Sequence, residues 1–222
     1  MNLAQSLRLA RKNLSETLPA ETLEAIDNVT KEVINLGIAH QSLKVGDTIP
    51  DFVLPNHNGE LIEIQKLLQR GVVVISFYRG TWCPFCNLEL KALEQALPAI
   101  NMLGGTVVTI SPQTFAKTPQ SIGEKKLNFE MLIDKKNQVA RQFNIVFQIP
   151  KKSRSYYREI GIYLPKYNGD ESFELPIPAT FIVDRDGKIY YAYVEPDHIQ
   201  RLDPVEIITI IRQMNNGYVL DF

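Results

Sequence analysis

Two cysteines, Cys83 and Cys86, are the residues of this sequence whose type and spacing best suit chemistry, and they are the only cysteines among its 222 residues. They follow an apolar run at residues 72–78, which is typical of a strand buried on both faces. Leucines at helical spacing come after them, so the second cysteine continues the apolar face of a helix. The pair is therefore predicted to lie where a strand ends and a helix begins.

The position at a helix start predicts different properties for the two thiols. Free backbone N–H groups and the positive end of the helix dipole favour an anion at Cys83, lowering its pKa from about 8.5 toward neutrality. We therefore predict that Cys83 is the nucleophile. Cys86, one turn further along the apolar face, is predicted to be more buried and less ionised. It is placed to attack a species formed on Cys83 and to close a disulfide.

Three neighbours are predicted to support this pair rather than to react. Pro84 stiffens the first helical turn and lacks an N–H group that the helix would not use. Trp82 can shield one side of the thiolate from solvent. Arg79 can place a positive charge near the sulfur, which favours the charged form of the thiol.

Two other uses of the cysteines carry less weight. A structural zinc site needs four ligands, whereas the three histidines, His40, His57 and His198, are scattered and no second cysteine pair exists. Buried, inert cysteines are the other alternative. A chance Trp-Cys-Pro-Phe-Cys at a strand-to-helix junction is improbable, so we favour redox chemistry that requires no metal and no organic cofactor.

Charge and hydropathy narrow the choice of partners. Lys and Arg number 24 against 25 Asp and Glu, which gives a net charge of -1 and a pI near 6.3. Such a chain lacks the basic field that attracts nucleic acid or an anionic membrane, so small molecules or proteins are the expected partners. No apolar run approaches the roughly 20 residues that span a bilayer, and the N-terminus has no secretory pattern, so we expect a cytoplasmic location.

Residues 1–44 are predicted to form two amphipathic helices, the second ending at Gly37. Packing on the main domain is the favoured way to cover their apolar faces, and a homodimer interface is the alternative. The hydrophobic pattern of the sequence changes at Val45, where strand-like periodicity replaces helical periodicity. We therefore predict an N-terminal helical extension at 1–44 and one domain at 45–222.

The sequence pattern of the domain at 45–222 is typical of an α/β fold. A hairpin is predicted around the Asn58-Gly59 turn, and a βαβ unit links the strand at 72–78, the helix after Cys83 and a strand at 106–111. The remaining predictions, in chain order, are a helix around 119–127, a strand at 129–133, a short helix at 134–143, an inserted loop or lid at 144–174, a strand hairpin at 178–194 and a last helix with Pro204 in its first turn.

Three motifs resemble one family. VGDTIPDF at 45–52 resembles the opening of peroxiredoxins, FYRGTWCPFC at 77–86 is similar to their active-site strand, loop and helix, and PATFIVD at 178–184 completes the set. The resemblance covers about residues 45–215 and is to the peroxiredoxin-like, alkyl hydroperoxide reductase and thiol-specific antioxidant (AhpC/TSA) family of the thioredoxin superfamily. It implies a thioredoxin-like three-layer fold with a central mixed β-sheet flanked by helices, and a cis Pro178 beside Cys83.

The chain departs from the family motif Pro-x-x-x-Thr/Ser-x-x-Cys, in which the hydroxyl helps to hold the peroxide. Ser76 stands at the proline position and Gly80 at the hydroxyl position, so Thr81, one residue later, is the candidate substitute. The family also has an arginine just before a late strand, and Pro178 stands there in this chain. Arg79 is the nearest candidate replacement.

The resemblance implies a thiol peroxidase. Cys83 would attack hydrogen peroxide or an alkyl hydroperoxide, Cys86 would resolve the sulfenate, and an external thiol reductant such as a thioredoxin-type protein would restore the pair. A thioredoxin-like thiol-disulfide oxidoreductase acting on protein disulfides is the alternative. A third class is a non-catalytic binding module that uses the N-terminal helices and the basic aromatic stretch at 151–158. We favour the peroxidase, because the long opening segment and the insertion are more typical of peroxiredoxin-like proteins.

Overall fold

The computed structural model describes residues 2–118, 121–122 and 125–217. The α-helices are α1 Leu3–Thr17, α2 Ala20–Asn35, α3 Ile38–Gln41, α4 Ile64–Leu68, α5 Pro84–Met102, α6 Gln138–Gln142, α7 Arg154–Glu159, α8 Leu164–Asn168 and α9 Pro204–Asn215. The strands are β1 Val53–Pro55, β2 Leu61–Glu63, β3 Val72–Phe77, β4 Gly105–Ser111, β5 Ser121–Ile122, β6 Lys125–Lys126, β7 Glu130–Ile133, β8 Val146–Gln148, β9 Glu174–Pro176, β10 Ala179–Val183 and β11 Ile189–Val194.

A five-stranded sheet in the order β11-β10-β3-β4-β7 forms the centre of the fold. β3, β4 and β7 run parallel, whereas β10 runs antiparallel to both of its neighbours. All six residues of β3 are buried, because this central strand is covered on both faces. The predicted strand and the predicted mixed sheet are thus confirmed, as are the hairpins β1-β2 and β10-β11.

Alternate residues of β3 enter two separate cores, one on each face of the sheet. Val73, Ile75 and Phe77 pack with α2, α4 and α6, whereas Val72 and Val74 pack with α1, α5 and α9. Because side chains along a strand point to opposite faces in turn, this division follows from the strand geometry. The fold therefore has the three layers that the resemblance implied.

The two N-terminal helices join opposite faces of the sheet. Leu7 of α1 packs in the core of α5 and α9, whereas Val29 and Val33 of α2 pack in the core on the other face. Arg11 nevertheless pairs with Asp27 across the two helices, with an N–O distance of 2.8 Å. The main domain therefore covers the buried side of both helices, as favoured above.

The predicted helix around 119–127 is wrong where the structure describes that stretch. β5 and β6 pair there in antiparallel fashion, and residues 119–120 and 123–124 lie outside the described residues. A proline at 119 and a glycine at 123 both disfavour helix in so short a segment. The connection from β4 to β7 therefore includes a strand pair in place of the predicted helix.

The stretch at 144–174, predicted to be an irregular loop or lid, is largely regular. β8 and β9 pair in antiparallel fashion and enclose α7 and α8. Ile145, Phe147 and Ile149 are buried in alternation, a period of two that indicates a strand among polar neighbours. This pairing holds α7 against α2, next to the cysteines' end of the sheet.

Among the described residues, no helix combines the length and the apolar character needed to cross a membrane.

Candidate active site

Cys83 is the N-cap residue of α5, after the loop that follows β3. Pro84 is the first helical residue and Cys86 lies in the first turn, as the spacing predicts. The Cys83 N–H donates to the carbonyl oxygen of Gly80 at 3.1 Å, which closes the loop in front of the helix. The Cys83 side chain makes no capping hydrogen bond. The backbone N–H groups that we predicted as donors to the sulfur are therefore not its partners.

Arg79 donates to Cys83 in their place. Its Nη2 lies 3.2 Å from Cys83 Sγ, and both side chains are buried. The guanidinium carbon lies 4.9 Å from the centre of the Trp82 ring, and Tyr157 meets that ring edge-on with the centroids 6.3 Å apart. Stacking thus holds Arg79 where its charge meets the sulfur.

This environment separates the pKa values of the two thiols. Burial alone would raise the pKa of Cys83, but a hydrogen bond from Cys86 and the charges of Arg79 and Arg201 outweigh burial, so the pKa falls well below its ordinary value. Burial and the negative charge on Cys83 raise the pKa of Cys86 well above its ordinary value. A buried thiolate beside a buried thiol suits a nucleophile and its resolving partner.

Arg201, which was not among the predicted site residues, lies beside Cys86. Its Nη2 is 3.3 Å from Cys86 Sγ, and its Nε is 2.5 Å from a carboxylate oxygen of Glu89. The side chains of this ion pair are only 2% and 3% exposed. Ser76 donates to Glu89 at 3.1 Å. Burial raises the pKa of Glu89, and Arg201 and Ser76 partly offset this rise.

Glu89 and Arg201 differ in whether the sequence alone could have identified them as site residues. Glu89 lies one turn after Cys86 on the buried side of α5, so an acidic residue amid apolar positions was a usable signal. Arg201 is 115 residues away from Cys86 along the chain. No local pattern connects two such positions, and only the folded chain brings them together.

His198 also reaches the site. Its Nδ1 lies 3.0 Å from the Thr30 hydroxyl, and its ring meets Phe85 edge-on at 5.6 Å between centroids. Burial, followed by the charges of Arg79 and Arg201, lowers the pKa of His198 well below its ordinary value, so the ring is neutral at pH 7. Within the described part of the chain, no three His, Cys, Asp or Glu side chains are grouped to hold a metal ion.

Thr81 does not replace the hydroxyl of the family motif in this geometry. Its hydroxyl donates to the carbonyl oxygen of Lys117 at 3.2 Å and accepts from Gln113 Nε2 at 3.1 Å. Its backbone N–H donates to Gln113 Oε1 at 2.8 Å. Thr81 therefore anchors the loop to the segment after β4 rather than supporting the sulfur.

Gly80 stands at the hydroxyl position, and its surroundings explain why it is glycine. Its φ of 148° lies in the region that side chains disfavour. A Cβ there would lie only 2.4 Å from Trp82 Nε1. The indole therefore occupies the space that a threonine at this position would need.

Replacing Gly80 by threonine is expected to destabilise the fold instead of restoring the family hydroxyl. Backbone strain and the collision with Trp82 should together lower the free energy of unfolding by about 1–3 kcal/mol, measured by urea denaturation. Gly59→Thr is the matched control, because Gly59 has a φ of 86° but nothing within 4 Å of its Cβ. Equal losses in the two variants would show that the indole does not fill the space at Gly80.

Pro178 differs from what the resemblance implied. No peptide bond among the described residues is cis, so Pro178 is trans. It is buried at the start of β10, where Ala179 pairs with Phe77 at the end of β3. The N–H of Ile177 donates to the carbonyl oxygen of Ile145 at 2.7 Å, which keeps the chain extended from β9 into β10. A residue before proline favours this extended backbone.

A cavity of about 200 Å³ lies beside the cysteines. Its lining includes Arg79, Trp82, Phe85 and His198, together with side chains from the N-terminal helices and the α7 region. Neither cysteine borders the cavity, and both are fully buried. Arg79 borders the cavity and contacts Cys83, so it connects the two.

A buried Cys-x-x-Cys at the start of the helix that follows the central strand of this mixed sheet defines a thiol oxidoreductase of the thioredoxin fold. The model of the AhpC/TSA family matches residues 45–192. The chain belongs to this family, and it is an oxidoreductase of the peroxiredoxin-like thiol peroxidase class.

Curated relatives agree with this assignment, and a solved structure shares the fold. The putative peroxiredoxin Bcp of Haemophilus influenzae is 31% identical over 114 residues, which cover 51% of this chain and 73% of the relative. Peroxiredoxin Bcp of Escherichia coli K12 is 26% identical over 151 residues, covering 68% and 85%. The crystal structure of peroxidoxin BcpB from Mycobacterium tuberculosis has a TM-score of 0.60 at 22% identity, covers 78% of this chain and 98% of its own, and shows the shared fold.

Proposed function

We propose that this protein reduces hydrogen peroxide or alkyl hydroperoxides with Cys83 as the nucleophile. The contact of 3.2 Å between Arg79 Nη2 and Cys83 Sγ carries this proposal, because it places a permanent positive charge beside a buried thiol whose pKa is lowered. The thiolate attacks the terminal peroxide oxygen, the O–O bond breaks, and the leaving oxygen takes a proton as water or alcohol. Cys83 is left as a sulfenic acid.

Cys86 completes the cycle by resolving this intermediate. Its sulfur attacks the sulfenic sulfur of Cys83, an S–S bond forms and water leaves. The negative charge on Cys83, which helps to raise the pKa of Cys86 in the reduced pair, is lost when Cys83 becomes a sulfenic acid. The charge of Arg201, 3.3 Å from Cys86 Sγ, then favours the thiolate form that this attack requires. An external dithiol such as a thioredoxin-type protein then supplies two electrons to reopen the disulfide, in a reducing compartment such as the cytoplasm. The loop around Cys83 must open for that reductant to reach the buried pair.

The burial of both sulfurs favours a peroxide over a protein disulfide as the oxidant. Disulfide exchange needs direct approach of a second protein to Cys83 Sγ, which is fully covered. A small hydroperoxide fits the adjoining cavity and meets Arg79 there. The alternative thiol-disulfide oxidoreductase therefore requires a larger rearrangement before its first step.

The proposal is tested by mixing the reduced protein with one equivalent of peroxide and following the cysteines by mass spectrometry. The protein should lose two hydrogens and form the Cys83-Cys86 disulfide. In Cys86→Ser, one oxygen should instead remain on Cys83 as the sulfenic acid, because the resolving thiol is absent. Cys83→Ser is the control and should gain no oxygen at Cys86 on the same time scale.

Two results would refute this function. One is oxidation of the reduced protein no faster than that of a free thiol in stopped-flow mixing. The other is rapid reduction of insulin disulfides without peroxide turnover, which would assign the protein to the thiol-disulfide oxidoreductases instead.

A further inference from the structure

The cavity beside the cysteines is lined by two chemically different groups of side chains. Arg79, stacked on Trp82, is a charged group beside Cys83, whereas most of the lining is aliphatic. This aliphatic wall consists of side chains from α1, the turn after it, α2 and the segment after α7: Leu14, Leu18, Leu23, Ile26, Ile160 and Ile162. The first four of these lie outside residues 45–192, the stretch that the family model matches. The N-terminal helices thus add a wall that the matched domain does not supply.

The aliphatic side chains of this wall are only partly covered by the protein itself. All six are of intermediate burial, whereas core residues of the same helices, such as Leu7 and Val29, are at most 4% exposed. A concave group of half-covered apolar side chains with a few polar groups at one end is typical of a small-molecule site. The wall therefore has the shape and chemistry to cover an apolar ligand.

Charge at the wall is already neutralised. Arg11 also borders the cavity, but both of its ion-pair distances to the Asp27 oxygens are 2.8 Å. His198 is uncharged at neutral pH because burial and the nearby arginines lower its pKa. Arg79 is then the lining residue whose charge is directed at Cys83, so the aliphatic wall of the cavity suits an uncharged group.

Arg79, which borders the cavity, has a donor without a partner. Its Nε is buried and finds no hydrogen-bond acceptor among the residues that the structure describes. Buried N–H groups are rarely left unpaired in native proteins. An oxygen-bearing ligand beside Arg79 would satisfy this donor, and Arg79 would hold it next to Cys83 Sγ.

We propose that this cavity is the substrate site and that the N-terminal helices make the enzyme selective for hydroperoxides that carry an apolar organic group. The inference rests on the proposed peroxidase function and adds to it the substrate preference and the residues that set it. The hydroperoxide group lies at Arg79 and Trp82, and the organic group covers Leu14, Leu18, Leu23 and Ile26. Hydrogen peroxide has no apolar group to contact this wall, whereas each methylene of an organic hydroperoxide that is buried there strengthens binding roughly fourfold.

The preference is tested by comparing kcat/KM for cumene hydroperoxide with kcat/KM for hydrogen peroxide. We expect the ratio to be about 10 or more in the native protein, and to fall by about tenfold or more in a Leu18→Phe/Leu23→Phe variant that fills the cavity. Leu9→Phe/Ile34→Phe is the matched control. It adds the same two rings to the same N-terminal segment at positions that are 47% and 52% exposed, and its ratio should stay within about twofold of the native value.

Binding is measured separately from turnover through Trp82, the only tryptophan of the chain, which borders the cavity. Cumyl alcohol, the unreactive product, should change its fluorescence in a saturable manner in the native protein and in the Leu9→Phe/Ile34→Phe control. In Leu18→Phe/Leu23→Phe the change should require about tenfold more alcohol.

The outcomes separate this inference from the proposed function. Fast oxidation by both peroxides at equal kcat/KM, with no fluorescence response to the alcohol, would overturn the organic substrate site and leave the peroxidase intact. A saturable response to the alcohol without peroxide turnover would overturn the peroxidase. Equal effects of the two double variants on the ratio would show that the wall does not set the preference.

Discussion

Replacing Arg79 by glutamine should lower kcat/KM for hydroperoxide by about 100-fold or more at pH 7. Arg79 donates to Cys83 Sγ at 3.2 Å, and its charge helps to lower the pKa of that buried thiol. Without this charge, only the hydrogen bond from Cys86 and the charge of Arg201 oppose burial, so the pKa of Cys83 rises. Since the thiolate is the reactive form, activity is present above the pKa and is lost as pH falls through it. The whole pH profile of the variant should therefore move to higher pH.

The measurement is kcat/KM for hydroperoxide as a function of pH, supported by thiolate absorbance in Cys86→Ser so that Cys83 titrates alone. Arg158→Gln is the matched control, because Arg158 stacks on Tyr163 at the same distance of 4.9 Å but is exposed to solvent. Its rate and pH profile should match those of the native protein. An unchanged profile in Arg79→Gln would mean that Arg79 does not set the ionisation of Cys83.

Replacing Glu89 by glutamine should lower the free energy of unfolding by about 3–5 kcal/mol. Arginine stays charged in proteins, so Arg201 carries a permanent positive charge. Its Nε lies 2.5 Å from a carboxylate oxygen of Glu89, and both side chains are almost fully buried. Glutamine retains the shape of the side chain but leaves the charge of Arg201 uncompensated. The loss arises mainly from that buried charge, because the hydrogen bond from Ser76 can still form.

The appropriate control is Glu63→Gln. Glu63 pairs with Lys66 at 2.7 Å, but these two side chains are 43% and 64% exposed, so solvent screens the pair and its loss should cost at most about 1 kcal/mol. Both variants are compared by urea unfolding at pH 7. Equal losses in the free energy of unfolding for Glu89→Gln and Glu63→Gln would show that the buried ion pair does not stabilise the Arg201 side of the site.

Each cysteine thus accepts a hydrogen bond from a different arginine, and the two arginines come from distant parts of the chain. Arg79 lies four residues before Cys83, in the loop between β3 and α5. Arg201 lies just before α9 and donates to Cys86. The two charges lower the pKa of Cys83 and hold Cys86 beside it, as the proposed resolving step requires, although both sulfurs are buried.

The local features of the site could be predicted from the sequence because each depends on near neighbours. An apolar run of six or seven residues predicts the buried strand β3, and Pro84 with the leucine spacing predicts where α5 begins. Two cysteines three residues apart then lie on the first turn whatever surrounds them. The sheet around the two cysteines and their place at the helix start followed from these patterns. The roles proposed for them, Cys83 as nucleophile and Cys86 as resolving residue, come from the same patterns and from the resemblance they support.

Only the tertiary structure decided what surrounds the two sulfurs. The donor to Cys83 is the Arg79 side chain and not the helix N-terminus, Thr81 is bound to Gln113 instead, and Arg201 arrives from 115 residues away. Neither hydrophobic periodicity nor residue spacing encodes such contacts, because they depend on which side chains the folded layers bring within hydrogen-bond distance. The cavity wall built by the N-terminal helices has the same origin, since amphipathic helices show an apolar face in sequence but not the surface they will cover.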